Sequence, residues 1–253
     1  MLNKTPIITP TGYKFAVDLR EGDQVLSGQG IIGKVASVNH VEANPYYVSF
    51  SDGRNIVVTV DQDLPVMTAC NTAITITAKE LLEKGVTSEH NEYIFHTPLA
   101  LGSRYSFDTN GVKRQLKLFD TLKNRGQIVS VKDPIIGKSY IGIHYKFLSG
   151  TKRSRLAIQA RSLGYVVEED MKSSFGFYTM TIYGSRRELA MLILNDKHKL
   201  KGFTINDAQK PVWITDILTV DKPEKMTTIT VDTSDNCFLA GNYTILGSKG
   251  VQE

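Results

Sequence analysis

Polar and apolar residues alternate along the first hundred positions. PIITPTGYKFAVDL (6–19) carries β-type residues around a turn at Thr11-Gly12, and REGDQVLS (20–27) turns at Gly22-Asp23. IIGKVASVNHVEANPYYVSFSDGRNIVVTVD (31–61) places Val35 and Val38, then Tyr46, Val48 and Phe50, then Ile56, Val58 and Val60 at strand spacing. Ser51-Asp52-Gly53 inside it is a hairpin signal. VTVDQDLPVMT (58–68) continues the alternation and predicts a turn around Asp61, Gln62 and Pro65. AITITAKELLEKG (73–85) predicts a strand, then a short helix over 78–84 stopped by Gly85.

The period changes after residue 110. VKRQLKLFDTLKNRG (112–126) sets Val112, Leu116, Phe119 and Leu122 at helical spacing with Gly126 as a stop. SYIGIHYKFLS (139–149) alternates as a strand. Ser149 and Thr151 are candidate caps for a helix KRSRLAIQARSLG (152–164). Strands YVVEED and FGFYTMTIYG and a helix SRRELAMLILND follow. PVWITDILTVD, MTTITVD and CFLAGNYTILG then return to strands. The expected organisation is a β module over 1–98 and 206–253, interrupted by a basic α/β insert over 99–205.

Charge sharpens this division. Residues 100–205 hold 19 Lys and Arg against 8 Asp and Glu, a net +11, while the remainder holds 11 against 18, a net −7. A block of one sign makes the insert a candidate for a polyanion partner. The five histidines and two cysteines (Cys70, Cys237) show no metal-ligand spacing, so no metal and no cofactor is expected. Both thiols are expected to be reduced, with Cys237 buried in a strand. No apolar run approaches the ~20 residues that span a bilayer, and the start has no leader-like apolar stretch, so a cytoplasmic protein is expected. Trp213, Met180 and Met191 are expected in the core, and His96 and His144 in structural roles.

Three blocks carry a resemblance. Asp18, Leu19, Gly22, Asp23, Val25 and Ser27 in TPIITPTGYKFAVDLREGDQVLS fit a D-L-x-x-G-D-x-V-x-S pattern. VVTVDQDLPV (57–66) is similar to V-T-x-D-H-x-V. KMTTITVDTSDNCFLAGNYTILGS (225–248) is similar to a closing block that ends in His-Asn. Together they resemble the Hint family of inteins and hedgehog autoprocessing domains, and phage-type inteins in particular. The resemblance implies a mainly β, horseshoe-shaped Hint fold. The insert resembles, through GTKRSRLAIQARSLGYVVEED and GFYTMTIYGS, half of a LAGLIDADG homing endonuclease, so an inserted α+β subdomain is implied.

The reacting positions depart from the family. The resemblance places the first nucleophile at or before Met1. It places a proton-donating histidine at Gln62, beside Thr59. It places the closing His-Asn at Gly247-Ser248, and an upstream Cys or Asp at Thr228. Glutamine does not titrate near neutral pH, and no group here forms the covalent intermediates of splicing. A shifted alignment would instead make Ser248 or Cys237 reactive.

The nuclease chemistry also lacks a carboxylate at the end of an apolar helix. HTPLALGSRYSFDTNG (96–111) is interrupted by Gly102-Ser103-Arg104, and Asp108 is expected in a turn. Magnesium is implied only if cleavage is retained. The expectation is a splicing-inactive Hint protein whose insert binds double-stranded DNA. The candidate contacts are Lys113, Arg114, Lys117, Lys138, Lys146, Lys152, Arg153, Arg155, Arg161, Arg186 and Arg187, with Tyr140, His144 and Tyr145 on the sheet. The alternatives are an active homing-type endonuclease, or a structural adaptor of a phage that binds a protein in the host cytoplasm.

Overall fold

The computed structural model describes residues 1–68, 72–86, 93–95, 118, 120–122, 125–170, 176–184, 189, 192 and 210–248. The chain is mainly β and divides into two compact units, Met1–Pro98 with Val212–Glu253, and Leu99–Pro211. The first unit begins with β1 (Pro6–Thr9), β2 (Gly12–Phe15), β3 (Gln24–Leu26), β4 (Ile32–Ala43), β5 (Tyr46–Phe50), β6 (Asn55–Val58), β7 (Asp63–Thr68), β8 (Ala73–Thr77), α1 (Ala78–Lys84) and β9 (Tyr93–Phe95). The second contains β10 (Gln127–Lys132), β11 (Ser139–Phe147), α2 (Gly150–Arg161), β12 (Val166–Asp170) and β13 (Tyr178–Tyr183). The first resumes with β14 (Val212–Thr219), β15 (Glu224–Asp232), β16 (Cys237–Ala240) and β17 (Thr244–Gly247).

Three antiparallel sheets build the first unit, with orders β17-β16-β1-β2, β6-β5-β14-β9-β7-β8 and β15-β4-β3. Each of them holds strands from both chain segments, so neither segment completes a sheet without the other. The alternation read from sequence places Val35, Val48, Phe50, Ile56, Val58 and Trp213 in the core. Gly53 adopts φ 82° at the β5–β6 hairpin, where a side chain would be strained. Helix α1 forms where expected, because Thr77 and Glu80 close a reciprocal capping box and Gly85 ends it.

One turn assignment is corrected. Pro65 lies inside β7, opposite Thr75 of β8. Among the described residues β9 pairs with β7 at Val66, Met67 and Thr68.

A buried ion pair ties the β5–β6 hairpin to the β16–β17 turn. Arg54 Nε donates to Asp52 Oδ2 at 2.7 Å, and both side chains are at most 2% exposed. Arg54 Nη1 reaches on to the carbonyls of Asn242 and Tyr243 at 3.3 and 2.9 Å.

The second unit is a four-stranded antiparallel sheet, order β10-β11-β13-β12, with α2 on one face. Leu118 and residues 120–122 before it, and Leu189 and Leu192 after it, are helical. Ile141, Ile143 and Tyr145 of β11 share a buried cluster with Met180, Ile182 and Val167 and with Leu156, Ala157 and Ala160 of α2. Ser149 caps α2 and accepts the Lys152 N–H, as expected. Strand β10 is an addition to the sequence reading. The expected end of the insert at 205 moves to 211, and Lys210 belongs to the insert because its Nζ pairs with Glu168 at 2.5 Å. The helices expected over 112–126 and 185–196 lie mostly, and 96–111 with Asp108 lies wholly, outside the described residues. Among the described residues no helix is long and apolar enough to cross a membrane.

Arg161 is 3% exposed and its Nη1 pairs with Glu169 Oε1 at 2.6 Å. Removing Arg161 leaves Glu169 to Arg153 and Ser154 and takes the donor from the Val167 carbonyl, so Arg161→Ala is expected to cost about 1–3 kcal/mol. Arg155, exposed on the same helix, is expected to change stability by less than about 0.5 kcal/mol on the same substitution. Urea unfolding of the two variants checks this, and equal losses would contradict it.

Candidate functional site

The site is built on the turn between β6 and β7. Gln62 N–H donates to the Thr59 carbonyl at 3.1 Å. The N–H groups of Lys79 and Ala78, at the start of α1, hold the Val60 and Gln62 carbonyls at 3.0 and 3.2 Å. The turn is therefore fixed from outside by a helix, and Thr59 and Gln62 are presented inward, 3% and 8% exposed. The Thr59 hydroxyl is buried without a hydrogen-bond partner.

Strand β17 closes against this turn. Gln62 Nε2 donates to the Gly247 carbonyl at 2.5 Å and to the Asp63 carbonyl at 3.3 Å. A Cβ on Gly247 would sit 2.8 Å from Asp63 Cβ, closer than real side chains approach. The position where the resemblance puts a histidine thus has no room for one unless β7 and β17 separate. Ser248 is 7% exposed, and its Oγ accepts the Val231 N–H of β15 at 3.3 Å while its own N–H donates to Asn236 O at 2.7 Å.

The opening residues reach the same strand β15. Met1 is fully buried; its amino group donates to Thr227 O at 3.0 Å, and Thr227 N–H donates back to Met1 O at 2.8 Å. Thr227 Oγ1 donates to Asn3 Oδ1 at 2.8 Å and lies 3.2 Å from His40 Nδ1. Met1 and Ser248 are thus bonded to points four residues apart along β15, about 13 Å at strand spacing. Thr228 is half-buried and pairs with Asn39, so Thr227 and not Thr228 meets the opening residues.

Cys237 is half-buried opposite Gly247. Burial pushes its thiol up to about 12, with the charges of Asp235 and Asp63 acting in the same direction. It is a weak nucleophile there. Asp63 faces both Gly247 and Cys237, and sequence reading missed it because nothing local marks a residue whose neighbours lie some 180 positions away. Among the described residues no group of His, Cys, Asp and Glu has the arrangement to hold a metal ion.

The chain is structurally similar to inteins. It resembles the Msm DnaB1 intein splicing domain, solved bound with zinc, with a TM-score of 0.42 and 13% identity over 98% of this chain and 99% of that one. It resembles the gp41-1 intein with a TM-score of 0.40 and 14% identity over 98% and 96%. It resembles the bacterial intein-like domain from Clostridium thermocellum with a TM-score of 0.40 and 11% identity over 97% and 94%. No protein-family profile and no curated protein matches the chain.

In the second unit the structure sorts the candidate cations. Lys138, Lys146, Lys152 and Arg155 are exposed. Arg161 and Arg153 are withdrawn. Arg161 Nη2 also donates to the Val167 carbonyl at 2.7 Å, and Arg153 pairs with Glu169 at 3.1 Å and lies over the Tyr178 ring. Tyr145 is likewise removed from the candidate contacts, since it packs in the core against α2, and Tyr140 is 4% exposed. His144 is half-buried beside Thr181 Oγ1 at 3.1 Å; burial lowers its pKa, Asp170 opposing and Lys146 assisting. Lys113, Arg114, Lys117, Arg186 and Arg187 lie outside the described residues.

Two outcomes are expected at this site. Gln62→Ala leaves the buried Gly247 carbonyl without its donor and is expected to destabilise the protein by about 1–3 kcal/mol, read by denaturant titration. Cys237 is expected to resist alkylation at pH 8 in the folded protein and to react once unfolded, followed by peptide mass mapping. Its raised pKa also contributes stability that is complete below the ordinary thiol pKa of 9.0 and is lost as pH rises toward about 12.

Proposed function

We propose that this chain is a Hint-type protein that has lost splicing chemistry and acts through its basic insert as a double-stranded DNA-binding module. The contact between Gln62 and Gly247 carries the first half. It brings the second and third sequence blocks together in space, as an intein-like reading requires, with inert groups at both reacting positions. Gln62 is committed as a donor to a main-chain carbonyl, Gly247 offers no side chain, and Ser248 Oγ is engaged by Val231. Oxygen nucleophiles need an adjacent base, and none of the groups bonded to Ser248 is one.

The second half rests on the exposed Lys138, Lys146, Lys152 and Arg155, in a segment with net +11 by sequence. Cations left to solvent give affinity through phosphates with little choice of sequence. The helix-strand-strand-helix-strand-strand-helix order of the insert supports its likeness to half of a LAGLIDADG endonuclease, and the phage-type character of the closing block supports a phage source.

Titration of duplex DNA over a range of salt, with and without magnesium, tests this reading. Four phosphate contacts predict a log–log slope of roughly −3 to −4. The duplex is expected to stay intact with metal present. A flat salt response would remove DNA binding, and metal-dependent cleavage would replace it with the nuclease reading. Flanking peptides fused to both ends are expected to remain attached by mass.

A further inference from the structure

A cleft of about 290 Å³ lies in the second unit and takes in two of the cations of the DNA reading, Lys146 and Lys152. It lies where residues Thr121 and Leu122, the end of β11 and the start of α2 meet. Arg125, Lys146 and Lys152 bring three cations to it, and among the described residues no carboxylate lines it. Ser149, also in its wall, caps a helix of 12 residues. The first-turn N–H groups of such a helix have no intrahelical acceptor, and its dipole places partial positive charge at that end.

Tyr145 is the independent observation. It lines the cleft, is 2% exposed, and its hydroxyl has no hydrogen-bond partner. Tyr183, equally buried in the same sheet, donates to Glu168 Oε2 at 2.6 Å. A buried donor left unmade is unfavourable, and burial also holds the Tyr145 phenol in its protonated, donating form. Gly126 leaves room for the ring, since a Cβ there would lie 2.7 Å from Tyr145 Cε1. Leu122, Phe147 and Leu148 add an apolar wall beside Thr121, and Leu148 is 82% exposed.

We propose that this cleft seats one nucleotide unit. The phosphate is held by Arg125, Lys146, Lys152 and the start of α2, with the Tyr145 hydroxyl as a further donor. The sugar or base lies against Phe147 and Leu148. The proposal deepens the nucleic-acid reading and rests on it for its ligand class.

The test is an NMR titration of the full chain with 5′-AMP, adenosine and inorganic phosphate, following the amides of residues 149–152. AMP is expected to shift them and saturate, with adenosine and phosphate each weaker by at least about tenfold. Lys152→Glu is expected to weaken AMP by at least about tenfold, and Tyr145→Phe by about fivefold without loss of folding stability. Lys222→Glu, exposed in the first unit, is expected to change nothing. Absence of AMP shifts, or unchanged affinity in both cleft variants, overturns the seat. Phosphate binding as tightly as AMP overturns the nucleotide assignment and leaves an anion site. Salt-dependent duplex binding without AMP binding removes the seat alone. AMP binding without duplex binding removes the DNA reading and keeps the seat. A 5′-phosphorylated single strand that binds more tightly than its dephosphorylated form assigns the ligand to a strand end, whereas equal binding assigns it to the free nucleotide.

Discussion

The close approach of β17 to the turn between β6 and β7 is the constraint on which the first unit depends. Gly247 has no side chain, so its backbone comes against Asp63, and its carbonyl falls within 2.5 Å of Gln62 Nε2. That carbonyl and that amide satisfy one another in a region closed to water. From this contact the register runs outward. Cys237 is opposite Gly247, Ala240 is opposite Ile7, and the opening and closing segments share a sheet. The buried Arg54–Asp52 pair fixes the far end of the same hairpin through the Asn242 and Tyr243 carbonyls. The two devices differ in kind. The ion pair is weak evidence for net stability but fixes one arrangement of the hairpins, whereas the glycine contact sets how near they lie.

A reactive oxygen or sulfur nucleophile is activated by an adjacent base or a lowered pKa. Here each candidate is anchored. The Gln62 amide is spent on Gly247 and Asp63, Ser248 Oγ accepts from β15, and the Cys237 thiol is held protonated by burial. The Thr59 hydroxyl is the exception, buried with no partner.

What was legible in the sequence was local. Alternation gave the strands, Ser149 gave a cap, Gly85 a stop, and Ser51-Asp52-Gly53 a hairpin, because each is a signal read within a few residues. What was not legible depended on partners far along the chain. Pro65 reads as a turn until Thr75 of β8 is seen opposite it. Tyr145 reads as a contact on an open sheet face until α2 is laid across it. Gly247 reads as a missing histidine, and only the position of Asp63 shows that the space itself is missing.

Charge gives the sharpest case, because sequence counts cations but does not say where they point. Arg153, Arg161 and Lys210 all turn inward, to Glu169 and Glu168. Two candidate contacts are lost by this. Arg153 and Arg161 share Glu169 and Lys210 takes Glu168, so two carboxylates hold three cations. Asp133, fully buried, is spent on the N–H groups of Ile135 and Ile136. Internal pairing leaves the net charge unchanged but withdraws cations and acids together. Among the described residues of this unit Asp120 and Asp170 stay exposed, as do Lys138, Lys146, Lys152 and Arg155. The field at the surface is therefore set by which charges the fold leaves outside, and a count along the chain does not give it.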